Sequence, residues 1–266
     1  GLNLYEHPKF AAFMRLHNLK TNVTGVPAVY GDWAPLAKQF EQTDEPFDRS
    51  DYMCIEHLYA AATGVAERRD LAALLLWMAD GDIEKARAGA LDTTWLLYHA
   101  LDVPASGSPT KPPLARRIVE TDFLGQKGLA FLRTGKAPDA QAVMLRFGPT
   151  LNHGHFDDLS LSYYAKGYNM TYHLGYVLGS AHVYVGLAKQ TAGHCTVVVN
   201  ERSQGEDRKV GTGGSLTLFA DLPTAKVAEA SCPESYGAQS VDVYDRTVAL
   251  IGDPQTRYRE DPVRML

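Results

Sequence analysis

Cysteine is scarce in this chain: only Cys54, Cys195 and Cys232 occur in 266 residues. Three cysteines without C-x-x-C spacing exclude a disulfide framework and a thiolate metal cluster, and leave room for one bridge at most. Long apolar runs are also missing. The longest, Leu71 to Ala79, is about half the roughly 20 residues that a membrane-spanning helix needs. Neither sign of charge dominates, with 26 Lys+Arg against 31 Asp+Glu and a formal net charge of -5. That balance argues against a nucleic-acid partner, which calls for a basic face. No H-E-x-x-H motif is present, which disfavours a zinc hydrolase of that type. No internal repeat and no βαβ alternation appears. The chain begins at Gly1 with neither an initiator Met nor a signal-peptide pattern, and reads as a mature or trimmed piece. Two N-x-[ST] triplets, at Asn22 and Asn169, are short enough to arise by chance.

What remains is a chain with 45% hydrophobic and 21% charged residues, enough to bury a core. Its two halves differ in period. Residues 1–115 read as helical: Phe10, Phe13 and Leu16 recur at helical spacing, and Met53, Ile55, Leu58, Tyr59, Ala62 and Val65 form a stripe. Leu71 to Ala79 reads as a short helix buried on most sides, and further helices follow to Leu101. Short polar connectors make successive helices antiparallel neighbours. Pro104, Pro109, Pro112 and Pro113 then stop helix formation.

From 116 to 266 the period shortens. Strands are expected at 128–133, 141–147, 159–164, 195–199, 215–219, 225–230 and 247–251, separated by turn signals such as Gly211-Thr212-Gly213-Gly214. Residues 134–139 read as a hairpin loop. Many short strands between turns indicate an antiparallel sandwich. Arg133 and Arg146 fall inside two of these strands and are expected to be solvated, with pairing to a substrate carboxylate as the functional alternative.

Histidine is concentrated where cysteine is not. Five of the nine histidines fall within residues 153–194: His153, His155, His173, His182 and His194. In extended chain, His153 and His155 point the same way, with Gly154 between them. Neutral imidazoles are good zinc ligands, and three protein ligands with one open position is a known arrangement. His155, His173 and His194 are the candidate set, with Asp157 placed to fix an imidazole from behind. The competing reading is of separate histidines satisfied by hydrogen bonds.

Three ordered segments carry a family resemblance: GLAFLRTG through NHGHFDDLSL over 128–161, AGHCTVVVNERSQ over 192–204, and YDRTVALI over 244–251. Together they resemble the heparinase II/III-like polysaccharide lyases, which include heparin and heparan sulfate lyases and exo-acting alginate lyases. The resemblance implies an α+β fold: the C-terminal part of an incomplete (α/α) toroid, here 1–115, followed by an antiparallel β-sandwich, here 116–266. It implies β-elimination on an acidic, uronate-containing polysaccharide, with no nucleic-acid or membrane partner, in the periplasm or outside the cell. His153 matches the active-site histidine of the family's HGH motif, and His155 and His194 match ligands of a structural zinc. His173 stands where the family has an Asp in a D-x-G element. His194-Cys195-Thr196 stands where it has HNT.

Elimination requires that the uronate carboxylate be neutralised, that a base take the C5 proton and that an acid protonate the leaving oxygen. His153, Tyr184 and Tyr30 are the candidates for proton transfer, while Trp33 would stack on a sugar and Arg146 would bind a carboxylate. Lys166, Lys189, Arg202, Arg208 and Lys209 flank the region and could offset the net negative charge locally. The family's catalytic Tyr and His or Asn lie mostly upstream of the matching segment. The chain is therefore expected to be a truncated two-domain enzyme. The alternative is a noncatalytic sugar-binding or structural remnant with the same zinc site.

Overall fold

The computed structural model describes residues 9, 22–23, 26–27, 73, 76–77, 81, 120–135, 140–149, 154–165, 168–171, 173–175, 184–205, 213–239 and 241–251. The chain divides into two compact units, one of 1–28 with 47–120 and one of 29–46 with 121–266. In the first unit, β1 (Asn22–Val23) and β2 (Val26–Pro27) form an antiparallel two-residue ribbon. Ala73, Leu76 and Trp77 are helical, as the pattern over 71–79 requires. Leu76 is buried but Ala73 is exposed, so that helix has an open side. The other helical expectations for this unit lie outside the described residues, and no described helix is long and apolar enough to cross a membrane.

The second unit holds two antiparallel sheets. One has five strands in sequence order: β3 (Asp122–Leu124), β4 (Leu129–Arg133), β5 (Ala142–Arg146), β6 (Leu161–Ala165) and β7 (Tyr168–Asn169). The other has three: β8 (Ser215–Asp221), β9 (Ala225–Ser231) and β10 (Asp245–Ile251), with β9 central. Consecutive pairing throughout makes each sheet a meander, the connection that short turns favour. Alternate residues build the core between them. Ala130, Leu132, Val143, Leu145 and Leu161 come from the first sheet, and Ala228, Ala230, Val248 and Leu250 from the second. Phe147, Leu159, Cys232, Tyr236 and Tyr244 close its end.

Strands β4 and β5 are buried on both faces. This corrects the expectation of solvated arginines there: Arg133 is 1% exposed and Arg146 6%. A strand covered on both sides offers no water to either alternation phase, so a cation in it must find partners inside. Arg133 lies over the Phe131 ring, 4.4 Å from its centroid. Burial lowers its pKa to about 9, with Asp122 pulling the other way.

A second correction concerns 195–199, which forms no strand. The chain makes a 3-10 turn at Thr191–Gly193 and then a loop. Side chains take the backbone groups that a sheet would use. The hydroxyls of Tyr236 and Tyr244 donate to the Val197 carbonyl at 3.0 and 2.8 Å. Val197 itself is 60% exposed, and left-handed Asn200 and Glu201 turn the chain back. The Cys195 thiol is free, and the buried Cys232 thiol lies 3.8 Å from the Phe147 carbonyl oxygen.

The β3–β4 connection depends on a glycine. Gly128 has φ of 70° and donates to the Leu124 carbonyl at 2.8 Å, while its own carbonyl accepts from Phe147 N at 2.7 Å. A Cβ at Gly128 would fall on the Gly148 backbone. Gly128→Ala is therefore expected to cost about 3 kcal/mol in urea unfolding. Gly237→Ala, with open space at the Cβ position, should stay within about 0.5 kcal/mol of wild type.

Candidate metal centre

The site grows from the loop joining β5 to β6. Residues 154–160 turn sharply, with Ser160 N donating to the Asp157 carbonyl at 3.0 Å. Leu159 sits at φ of 57°, a left-handed conformation that costs a non-glycine residue about 1–2 kcal/mol. Two contacts hold it there: its side chain is buried in the core, and its carbonyl accepts from Arg246 Nη1 at 2.6 Å.

The turn sets two carboxylates against one guanidinium. Arg146 Nη1 lies 3.0 Å from Asp157 Oδ1 and 3.2 Å from Asp158 Oδ1. All three side chains are buried. Arg146, expected to bind a substrate carboxylate, thus spends its charge on internal ones, and burial keeps it from the surface.

Asp158 carries the network onward. Its Oδ2 accepts from Ser235 Oγ at 2.6 Å. Its backbone N–H donates to Gln204 Oε1 at 2.8 Å, and its carbonyl accepts from Gln204 Nε2 at 3.0 Å and Thr196 Oγ1 at 2.8 Å. Gln204 Nε2 also donates to the Tyr244 hydroxyl at 2.8 Å, and Gln204 N donates to Thr191 Oγ1 at 2.8 Å. The loop bearing His194 is thereby fixed to the loop bearing His155. Asp158, Gln204, Ser235 and Tyr244 escaped the reading of the sequence. The only signal was that three of them fall in the segments that carry the family resemblance.

On the Asp157 side stand three histidines. His155, His173 and His194 are 0%, 6% and 8% exposed. Their ring centroids are 5.1 to 5.5 Å apart, and one ligand-capable nitrogen from each lies within 4.8 Å of the others. Burial lowers the pKa of His173 to about 3, assisted by His194 and opposed by Asp157. Burial also lowers His194 to about 4, opposed chiefly by Asp157. Burial pushes the Asp157 carboxyl up, but Arg146 and the three imidazoles outweigh it and leave its pKa lowered. His173 and His194 are thus neutral imidazoles beside a carboxylate anion, the protonation states in which these groups meet a cation.

Several of its buried atoms meet no protein partner. His173 Nε2 and both ring nitrogens of His194 have none with hydrogen-bond geometry, although the Ala188 carbonyl is near enough to favour a charged His194. Buried polar atoms in native proteins are seldom left so, and a group of them on adjacent side chains fits a bound ion.

The remaining candidates are described only in part. His153, Tyr30 and Trp33 lie outside the described residues, as do Lys166, Arg208 and Lys209. Tyr184 opens a short π-helical turn, Tyr184–Ala188, and its side chain is outside the described set. Lys189 follows that turn, its Nζ 5.5 Å from the Phe156 ring centroid and its carbonyl accepting from Phe156 N at 3.0 Å. Arg202 is exposed.

Residues 121–251 match the family described as heparinase II/III-like, C-terminal. Among solved structures, a heparinase III gene product with methylated lysines aligns at 13% identity, TM-score 0.51, over 88% of this chain and 29% of its own. The heparan sulfate lyase HepC from Pedobacter heparinus aligns at 16% identity, TM-score 0.50, over 88% and 29%. Another heparinase III aligns at 13% identity, TM-score 0.51, over 91% and 32%. These likenesses are of fold, and the chain spans about a third of the length of each. No curated protein matches the sequence.

Two outcomes test this geometry. Arg146→Met leaves two buried carboxylates without their cation and is expected to cost about 3–5 kcal/mol in chemical denaturation. The depressed histidine pKa values set a pH dependence for metal-free protein. Between about pH 6.5 and 3–4 the unfolded chain binds protons that folded His173 and His194 refuse. The melting temperature should therefore fall as pH drops through that window, and His173→Asn should flatten the slope.

Proposed function

From the match of residues 121–251 to the heparinase II/III-like, C-terminal family, we propose that the chain is part of a polysaccharide lyase. In this reading it acts by β-elimination on a uronate-containing glycan, a glycosaminoglycan or alginate, outside the cytoplasm. The observation that carries the reading is the family match. It spans both sheets and all three clustered histidines.

The chemistry assigns work to named side chains. The C5 proton of a uronate is weakly acidic, so its carboxylate must be neutralised before a base can remove it. His153, two residues from the buried His155, is the proposed proton-transfer or carboxylate-neutralising group. Tyr184 and Tyr30 are the proposed tyrosine partners, and Trp33 the proposed stacking platform. Lys189 replaces Arg146 as the basic side chain near the His155 loop.

The ion proposed for the histidine cluster is zinc, which fits buried neutral imidazoles. It would supply cross-linking: the 154–160 loop and the 191–194 turn are far apart in sequence, and an ion bound to both fixes their spacing. The proton-transfer groups remain side chains of the chain itself.

The test is the ultraviolet absorbance of the unsaturated uronate product. The full-length protein is incubated with heparan sulfate, heparin, chondroitin, hyaluronan and alginate. A rise with one of them, lost in His153→Ala, is expected. Retained glycan binding with no rise on any substrate would mean a noncatalytic sugar-binding module.

A further inference from the structure

His173 meets the cluster with its available lone pair already spent. Its Nδ1 accepts the backbone N–H of Gly175 at 3.1 Å. A ring nitrogen that accepts carries no proton, so the ring is not an imidazolium. The single N–H of the neutral ring is then on Nε2, which makes Nε2 a donor. That atom is buried and has no hydrogen-bond partner, and the centroid of its ring lies 5.5 and 5.1 Å from those of His155 and His194.

Gly175 holds the ring in this sense. Its N–H points back at the side chain two residues before it, and its own φ of 61°, open to glycine, carries the chain onward from there. Gly175 is itself buried. Half a turn of the imidazole about Cβ–Cγ would set a carbon against that N–H and leave a buried donor without an acceptor. A carboxylate at this position would face no such choice. One oxygen can accept from Gly175 while the other keeps lone pairs for an ion. An imidazole has no spare lone pair once Nδ1 accepts.

We propose that His173 serves the metal centre as a hydrogen-bond donor and not as a ligand. The ion is held by His155 and His194. Nε2–H of His173 donates to an oxygen ligand, water or a carboxylate, that fills an open position on the ion. This rests on the reading that the cluster binds a divalent cation. Two protein ligands leave that ion exchangeable and open to chelators.

Zinc affinity is measured by chelator competition on the full chain as wild type, His155→Asn and His173→Asn. Asn at 173 keeps both functions assigned to the ring, since its Oδ1 can accept from Gly175 and its amide can donate. His173→Asn should hold zinc within about fivefold of wild type, whereas His155→Asn should lose about 100-fold or more. Equal losses in the two variants would overturn the proposal while leaving the metal reading intact. A wild type that binds no zinc would overturn both. Long-range proton–nitrogen NMR of the wild type needs no variant to fold: Nδ1 bare and Nε2 protonated, with and without zinc, is the expected pattern. Loss of the Nε2 proton on adding zinc would make His173 a ligand and end the proposal.

Discussion

A buried charge must be answered inside the protein, and the pairing of Arg146 with Asp157 and Asp158 is where this fold answers it. The guanidinium sits in a strand covered on both faces, and the two carboxylates follow from the turn that ends in left-handed Leu159. Removing Arg146 leaves both carboxylates uncompensated, which is far costlier than never having buried the group. The pairing therefore dictates the neighbourhood. Asp158 reaches Ser235 and Gln204, and Gln204 reaches Tyr244 and Thr191. The turn before His194 and the loop carrying His155 are both fastened to this one network.

The network also explains the state of the histidines. Asp158 holds the Gln204, Thr196 and Ser235 segments, while Asp157 interacts with Arg146 and with the imidazoles. Burial keeps His173 and His194 neutral against the pull of that carboxylate. Two neutral rings whose buried nitrogens lack protein partners make folding carry a desolvation cost that a bound cation would recover. Within the cluster the rings are not equivalent. The backbone of Gly175 sets the tautomer of His173, whereas His194 has no such donor against its ring.

The sandwich was legible wherever apolar residues alternate between turn signals. β4, β5, β6, β8, β9 and β10 fall within two or three residues of the segments read from pattern. β3 was missed because Asp122-Phe123-Leu124 is too short for periodicity to register. The segment 195–199 has the composition of a strand but does not form one, and two tyrosine hydroxyls from distant residues occupy its Val197 carbonyl. The two arginines misled for a related reason. Alternation reveals that a strand has two faces, but not that both are covered. In the site, the three histidines could be grouped because imidazole is chemically distinctive. Asp158, Gln204 and Ser235 could not, since ordinary polar residues acquire meaning only when folding brings them within hydrogen-bond reach.

Among the described residues, His173 and His194 bring buried ring nitrogens without hydrogen-bond partners together beside His155, and we read this cluster as a metal centre. Anomalous diffraction at the zinc edge, on crystals grown with the metal, tests it most directly. The account predicts a single strong peak within bonding distance of His155 and His194. An absence of anomalous density there, with the rings bridged by ordinary water, would contradict it.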